Sequence, residues 1–160
     1  MTNLPPSSLP YRPCVGCVLI SPQGLIWVGE RIDTPGAWQM PQGGIDKDED
    51  PATAAKRELF EEIGVAADII GETRNWLTYD LPPHLVGVAW KGQFKGQRQK
   101  WFAFKFTGTD HDIHLDHHGE PEFKAWQWMA PQALLSSVVP FKRTVYAQVL
   151  EQFDTLIRPS

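Results

Sequence analysis

The sequence predicts a mixed α/β sandwich, and three features carry that reading. A helix with clear start and stop signals sits at residues 51–63, strand-like segments lie on both sides of it, and another helix closes the chain. Strand and helix do not alternate as they would in a doubly wound parallel sheet, so a mixed β-sheet is expected.

In chain order, residues 1–10 are rich in Pro and Ser and read as a flexible N-terminal arm, with 11–156 forming one domain. Residues 15–20 and 25–30 read as strands paired as a hairpin around Ser21-Pro22-Gln23-Gly24. Thr34-Pro35-Gly36 is a turn, followed by the extended stretch WQMPQGG. For the helix, Asp50 serves as N-cap, Pro51 takes the first helical position and Gly64 stops it. Residues 66–72 and 75–80 read as short strands separated by a bend. Residues 85–90 and 97–107 read as a further strand pair, joined by a turn containing Lys and Gly. A strand at 123–129, a short helix at 131–135 and a final helix from 141 to about 156 complete the chain.

Composition excludes several classes. The formal net charge of −4 means that bulk attraction to nucleic acid is not the basis of binding. Any RNA contact belongs to a defined site, no DNA partner is expected, and no protein partner is indicated. No stretch is long and apolar enough to span a membrane, and MTNLPPSSLP lacks the basic and apolar regions of a signal peptide, so a cytoplasmic location is expected. Cys14 and Cys17 form a C-x-x-C, but they lie in a strand, where residues three apart face opposite ways, and no second pair completes a zinc site. Both read as packed or free thiols. Of seven tryptophans, Trp38, Trp76, Trp101, Trp126 and Trp128 read as core rather than as base-stacking platforms.

The helix carries the chemistry. At about 100° per residue, Ala52, Ala55, Leu59 and Ile63 form a buried stripe, and Glu58, Glu61 and Glu62 fall on the adjacent arc. Like charges at this spacing destabilise a helix by roughly 0.2–0.5 kcal/mol per pair, which Arg57 relieves only in part, most directly by pairing with Glu61. Taken alone, such a face is an ordinary solvated surface. Its position beside the core, after a glycine-rich loop, instead suits hard oxygen ligands for Mg²⁺ or Mn²⁺.

The segment GGIDKDEDPATAAKRELFEEIGV matches the pattern G-x5-E-x7-R-E-U-x-E-E-x-G-U at Gly43, Glu49, Arg57, Glu58, Leu59, Glu61, Glu62, Gly64 and Val65. On these residues the chain resembles the Nudix hydrolases. The resemblance implies a Nudix α/β/α sandwich with a mixed β-sheet, one central catalytic helix and a C-terminal helix. It also implies metal-dependent hydrolysis of a phosphoanhydride bond, with more than one divalent cation per active site. Glu58, Glu61 and Glu62 would be metal ligands and Arg57 would orient Glu61. Gly43 and Gly44 would let the loop pass close to the helix, Glu49 would be structural, and Gly64 belongs to the same motif.

Further similarity in YRPCVG, WQMPQGG, TRNWLTYDLP, GQRQKWF, PEFKAWQW and PFKRTVY, across roughly residues 11–154, points to the bacterial RNA 5′-pyrophosphohydrolases and the related dinucleoside polyphosphate hydrolases. In that subgroup Arg12, Arg31, Gln39 and Lys100 would hold phosphates or guide the 5′ end. Tyr79 would sit at the mouth of the groove, and Phe141 would stack on a base beside Lys142. Glu122 would ligate metal or accept the proton of water, with Glu61 the competing acceptor; Glu122 is favoured. The plainer readings make Arg12 and Arg31 surface charges, Phe141 a packing staple, and Lys91, Lys95, Arg98 and Lys100 a solvated hairpin rather than a track for phosphates. Residues 111–120, HDIHLDHHGE, read as a polar loop, although the ligand types would also suit a transition metal.

The substrate implied is a 5′-triphosphorylated RNA end, cut to a 5′-monophosphate as a trigger of mRNA decay. The alternative is a dinucleoside polyphosphate, such as diadenosine tetra- or pentaphosphate, cut asymmetrically. A non-catalytic nucleotide- or RNA-binding module is disfavoured because every carboxylate of the motif is present. ADP-ribose and oxidised nucleoside triphosphates fit the motif but not the surrounding segments.

Overall fold

A computed structural model describes residues 8–116 and 119–160. The arm expected at 1–10 therefore falls mostly outside the described residues. The order of elements is β1 (Tyr11–Ile20), β2 (Ile26–Arg31), β3 (Trp38–Gln39), β4 (Gln42–Gly44), α1 (Pro51–Ile63), β5 (Asp68–Glu72), β6 (Leu77–Asp80), β7 (Gly96–Lys105), β8 (Phe123–Met129), α2 (Pro131–Ser137) and α3 (Arg143–Gln152).

These strands join in a mixed eight-stranded sheet. Its spine is the parallel pairing of β1 with β7, from Tyr11↔Gly96 to Ile20↔Lys105. On its other edge β1 takes β4 antiparallel, while β5 and β6 lie antiparallel along the far edge of β7. A second group forms from β2 with β8 and β3.

The expected hairpin of β1 and β2 is present as a short antiparallel pairing around its turn. They meet at Ile20↔Ile26, closed by the Ser21 N–H donating to the Leu25 carbonyl at 2.9 Å. The reason it is short lies in the strand itself. Every residue from Cys14 to Ile20 is buried, and a strand covered on both faces belongs at the centre of a sheet, not in a two-stranded ribbon.

Two cores lie on the two faces of the sheet. On one, Val15, Cys17, Leu19, Phe102 and Phe104 pack against Ala54, Ala55, Leu59 and Ile63 of α1. On the other, Val18, Ile20, Trp101 and Ala103 pack against Leu134 of α2 and Val145, Tyr146 and Val149 of α3. Helices on both faces make this an α/β/α sandwich. Cys14 and Cys17 are free and buried, and the Cys17 thiol donates to the Ala55 carbonyl at 3.3 Å. Trp27 and Trp101 are fully buried, whereas Trp38, Trp76, Trp126 and Trp128 are half-buried.

The local signals of α1 act as read. The Asp50 carboxylate accepts from Thr53 N at 3.2 Å, and Gly64, at φ 72°, ends the helix in the left-handed conformation that glycine adopts without strain. Its buried residues include Ala54 rather than Ala52, and they include Glu62.

Two expectations fail. Residues 85–90 form no strand: they fold into turns and a 3₁₀ segment at Ala89–Gly92, because β5 and β6 already occupy the edge of β7. Trp90 (φ 50°) and Lys91 (φ 58°) are both left-handed, at a cost of about 1–2 kcal/mol each for L-residues. The final helix is shorter than expected, with a 3₁₀ turn at Pro140–Lys142 leading into α3.

Gly16 makes the close approach on which the β1–β7 spine depends, since a methyl group there would overlap the indole of Trp101. Gly16→Ala should lower the unfolding free energy by about 1–3 kcal/mol, as overpacked core sites do. Denaturant melts of the two proteins measure it.

Candidate active site

The site begins where β4 runs between β1 and α1. Gly43 pairs with Val15 and lies directly against the Glu58 carboxylate, which a methyl group at that position would overlap. Gly44, opposite Cys14, carries the guanidinium of Arg12 in the same way. Neither position needs a positive φ; what each needs is an absent side chain.

Arg57 holds the acidic face together. Its Nε and Nη2 donate to both oxygens of Glu49 at 2.8 and 2.9 Å. Nη1 donates to Glu58 at 2.9 Å and to Glu61 at 3.1 Å, and Nη2 donates to the Gly44 carbonyl at 3.0 Å. Glu49 also accepts from Asp46 N at 3.0 Å, which closes the loop before the helix. One guanidinium thus ties three carboxylates and the glycine strand into a single unit.

Glu62 has no share in this. It is 7% exposed, and neither of its oxygens has a partner in hydrogen-bond geometry, although the Gln42 backbone and the Glu122 carboxyl lie near it. Burial first, then the neighbouring Glu122 and Glu58, push its carboxyl well above the usual range. Burial likewise raises Glu58 to about 7 against the opposing pull of Arg57. Among the described residues no three carboxylate, histidine or cysteine side chains are drawn into a closed ligand set. Instead Glu58, Glu61, Glu62, Glu120 and Glu122 line a small cavity of about 80 Å³, so the carboxylates surround a space rather than each other.

That cavity adjoins a groove of about 590 Å³, and Glu58 and Glu122 line both. Arg12, Arg31, Gln39, Tyr79, Phe141 and Lys142 all line the groove. Arg31 pairs with Asp33 through two hydrogen bonds of 2.6 and 2.5 Å, which hold the Asp33 carboxyl down at about 2. Lys142 is buried, donates to Gln39 Oε1 at 3.2 Å, and is lowered to about 8 by that burial and then by Arg31. Phe141 packs on Tyr79 with ring centres 5.5 Å apart.

Lys100 does not join them. Successive strand residues face opposite ways, and Lys100 lies on the face of Phe102 and Phe104, where its Nζ reaches the Arg74 carbonyl at 3.4 Å and Glu72 at 3.8 Å. The basic cluster is likewise dispersed: Lys95 lies over the Tyr11 ring and Arg98 over Trp76. Of the His/Asp-rich segment, residues 117 and 118 lie outside the described residues; Asp110, just before it, accepts from the Trp128 indole at 2.9 Å.

Sequence reading passed over a buried amide cluster of which Gln42 and Gln97 line the groove. Gln99 donates to Gln97 at 2.7 Å and accepts from the Trp101 indole at 2.9 Å, with Gln42 close by at 3.4 Å. The signal was present, since Gln97, Gln99 and Trp101 alternate along one face of β7, and a buried Trp101 takes both amides inward with it.

The chain matches the NUDIX domain family over residues 10–149. It is 56% identical over 156 residues to an RNA pyrophosphohydrolase of Rhodospirillum rubrum, covering 95% of this chain and 94% of that one. It is 53% identical over 156 residues to an RNA pyrophosphohydrolase of Novosphingobium aromaticivorans, covering 94% and 97%. Among solved structures, the E. coli dihydroneopterin triphosphate pyrophosphohydrolase superposes with a TM-score of 0.71 at 18% identity, covering 89% of this chain and 99% of that one, a likeness of fold. A carboxylate-lined helix of this pattern, in this sandwich, matched across nearly the whole chain, makes the protein a member of the Nudix family.

Proposed function

We propose that this enzyme removes pyrophosphate from the 5′-triphosphate end of RNA, leaving a 5′-monophosphate. The observation that carries the reading is the continuity of two spaces. A groove with cationic and aromatic walls opens onto the carboxylate cavity through Glu58 and Glu122, so a polyphosphate with its base can lie across both. The names of the near full-length relatives favour RNA as the substrate.

Nudix hydrolases generally use divalent cations, and the residues here fit one. The buried, unpartnered oxygens of Glu62 and the raised carboxyl of Glu58 are what a hard cation with oxygen ligands would relieve. Glu58, Glu61, Glu62 and Glu122 would hold Mg²⁺ or Mn²⁺, with room for more than one ion. Once bound, such ions neutralise phosphate oxygens and acidify water.

The protein's own residues do the rest. Arg12 and Arg31 take the phosphate oxygens, Arg31 exchanging Asp33 for them. Lys142 and Gln39 guide the nucleotide, Tyr79 closes the wall behind Phe141, and Phe141 stacks on a base. Arg57 keeps Glu58 and Glu61 aimed at the cavity. One oxygen of Glu61 is committed to Arg57, whereas Glu122 stands at the junction of cavity and groove, so Glu122 accepts the proton of the attacking water. Hydrolysis between the α- and β-phosphorus atoms then releases pyrophosphate.

The direct test offers purified protein with Mg²⁺ a 5′-triphosphorylated RNA and diadenosine pentaphosphate side by side. Conversion of the RNA to a 5′-monophosphate end is expected, and Glu61→Gln should keep the fold while losing most of that activity. Cleavage of the dinucleotide alone would instead make the protein a dinucleoside polyphosphate hydrolase.

The raised carboxyls also set a pH dependence. Below the ordinary value of 4.5, folded and unfolded chains are both protonated at Glu58. Between 4.5 and about 7 the folded state holds a proton that the unfolded chain has released, so the metal-free protein should lose stability as pH rises through that window. Thermal melts from pH 5 to 8 should show this fall, and saturating Mg²⁺ should reduce it.

A further inference from the structure

The connection between β6 and β7 gives the groove a second aromatic wall. Trp90 lines the groove with Leu85 and Ala89 of the same segment. Its ring is braced edge-on by Phe94, with centres 6.3 Å apart, and the guanidinium of Arg12 lies over it at 5.7 Å. Two consecutive left-handed residues, Trp90 and Lys91, hold the indole there, while Val88 of the same loop is 72% exposed. A loop under backbone strain that turns one aromatic into a groove and leaves a neighbouring apolar residue in water points to use of that aromatic.

Arg12 links this wall to the chemistry. It packs on Gly44, and the adjacent Gly43 carries Glu58, so Glu58, Gly43, Gly44, Arg12 and Trp90 form one path leading out from the carboxylates. An indole face that attracts a guanidinium also attracts a nucleobase, and a triphosphate offers the guanidinium a stronger partner.

We propose that Trp90 is a base-binding residue: its indole stacks a nucleobase at the RNA 5′ end as Arg12 leaves the ring for the phosphates, and Phe141 supplies a separate stacking surface. This rests on the reading of the enzyme as an RNA pyrophosphohydrolase. At about 590 Å³ the groove has the size of a site for a substantial organic ligand rather than a lone phosphate.

The test compares wild type, Trp90→Phe and Trp90→Leu on a short 5′-triphosphorylated RNA and on the same RNA made abasic at its first or its second nucleotide. Trp90→Leu should raise KM on intact RNA roughly tenfold with kcat nearly unchanged, and Trp90→Phe should restore most of the loss. Removing the stacked base should raise the wild-type KM by a similar factor and add little in Trp90→Leu. A wild type indifferent to both abasic substrates, or a Trp90→Leu variant that loses equally on intact and abasic RNA, would overturn the assignment while leaving the RNA activity standing. A wild type that does not convert the triphosphorylated RNA would overturn this inference and the reading beneath it together.

Discussion

The interaction on which the site depends is the grip of Arg57 on Glu49, Glu58 and Glu61. A helix that carries three glutamates on one arc repels itself, and the strand before it brings only glycine backbone, at Gly43, against Glu58. A single planar guanidinium, delocalised and always charged, satisfies four carboxylate oxygens and the Gly44 carbonyl at once, which the point charge of a lysine does not do. Of the carboxylates Arg57 holds, Glu58 and Glu61 also line the small cavity. Glu62, outside that grip and buried, is a carboxyl that the protein alone holds in its protonated form.

The rest of the fold serves that arrangement. The parallel spine of β1 and β7 fixes Arg12 and Gln97 at one end of the sheet, and β4, clamped on β1, lays glycine backbone against Glu58 and Arg12. Helices α1 and α3 cover opposite faces, so the carboxylates come from one side of the sheet and Lys142 and Phe141 from the segment leading into the helix on the other. The groove therefore lies across the end of the sandwich, with lining residues from both sides of the sheet.

What was legible in the sequence was local. Asp50, Pro51 and Gly64 punctuate α1 through contacts within a few residues, so its bounds could be read directly. The strand expected at 123–129 likewise has the bounds of β8. Partners distant in the chain were not legible. Residues 15–20 read as half of a hairpin, which they form with β2 at Ile20↔Ile26, but their longer parallel pairing with β7, with both faces of the strand buried, was not readable. Residues 85–90 have strand-like composition but no free edge to join. Lys100 was placed among phosphate-binding residues by motif, and strand parity puts it on the other face. The raised carboxyl of Glu62 depends on burial and then on Glu122, far along the chain just before β8, and the indole of Trp90 in the groove goes with two unusual backbone conformations; neither shows in a periodicity.

If the carboxylates are arranged for a divalent cation, binding must displace protons that burial now holds on Glu58 and Glu62. Calorimetric titration of the protein with Mn²⁺ near pH 6, in two buffers of different ionisation enthalpy, counts those protons directly. The account predicts saturable binding with net proton release, weakening for Glu58 as pH passes about 7. Binding without proton release, or no binding at the pH of full activity, would contradict it.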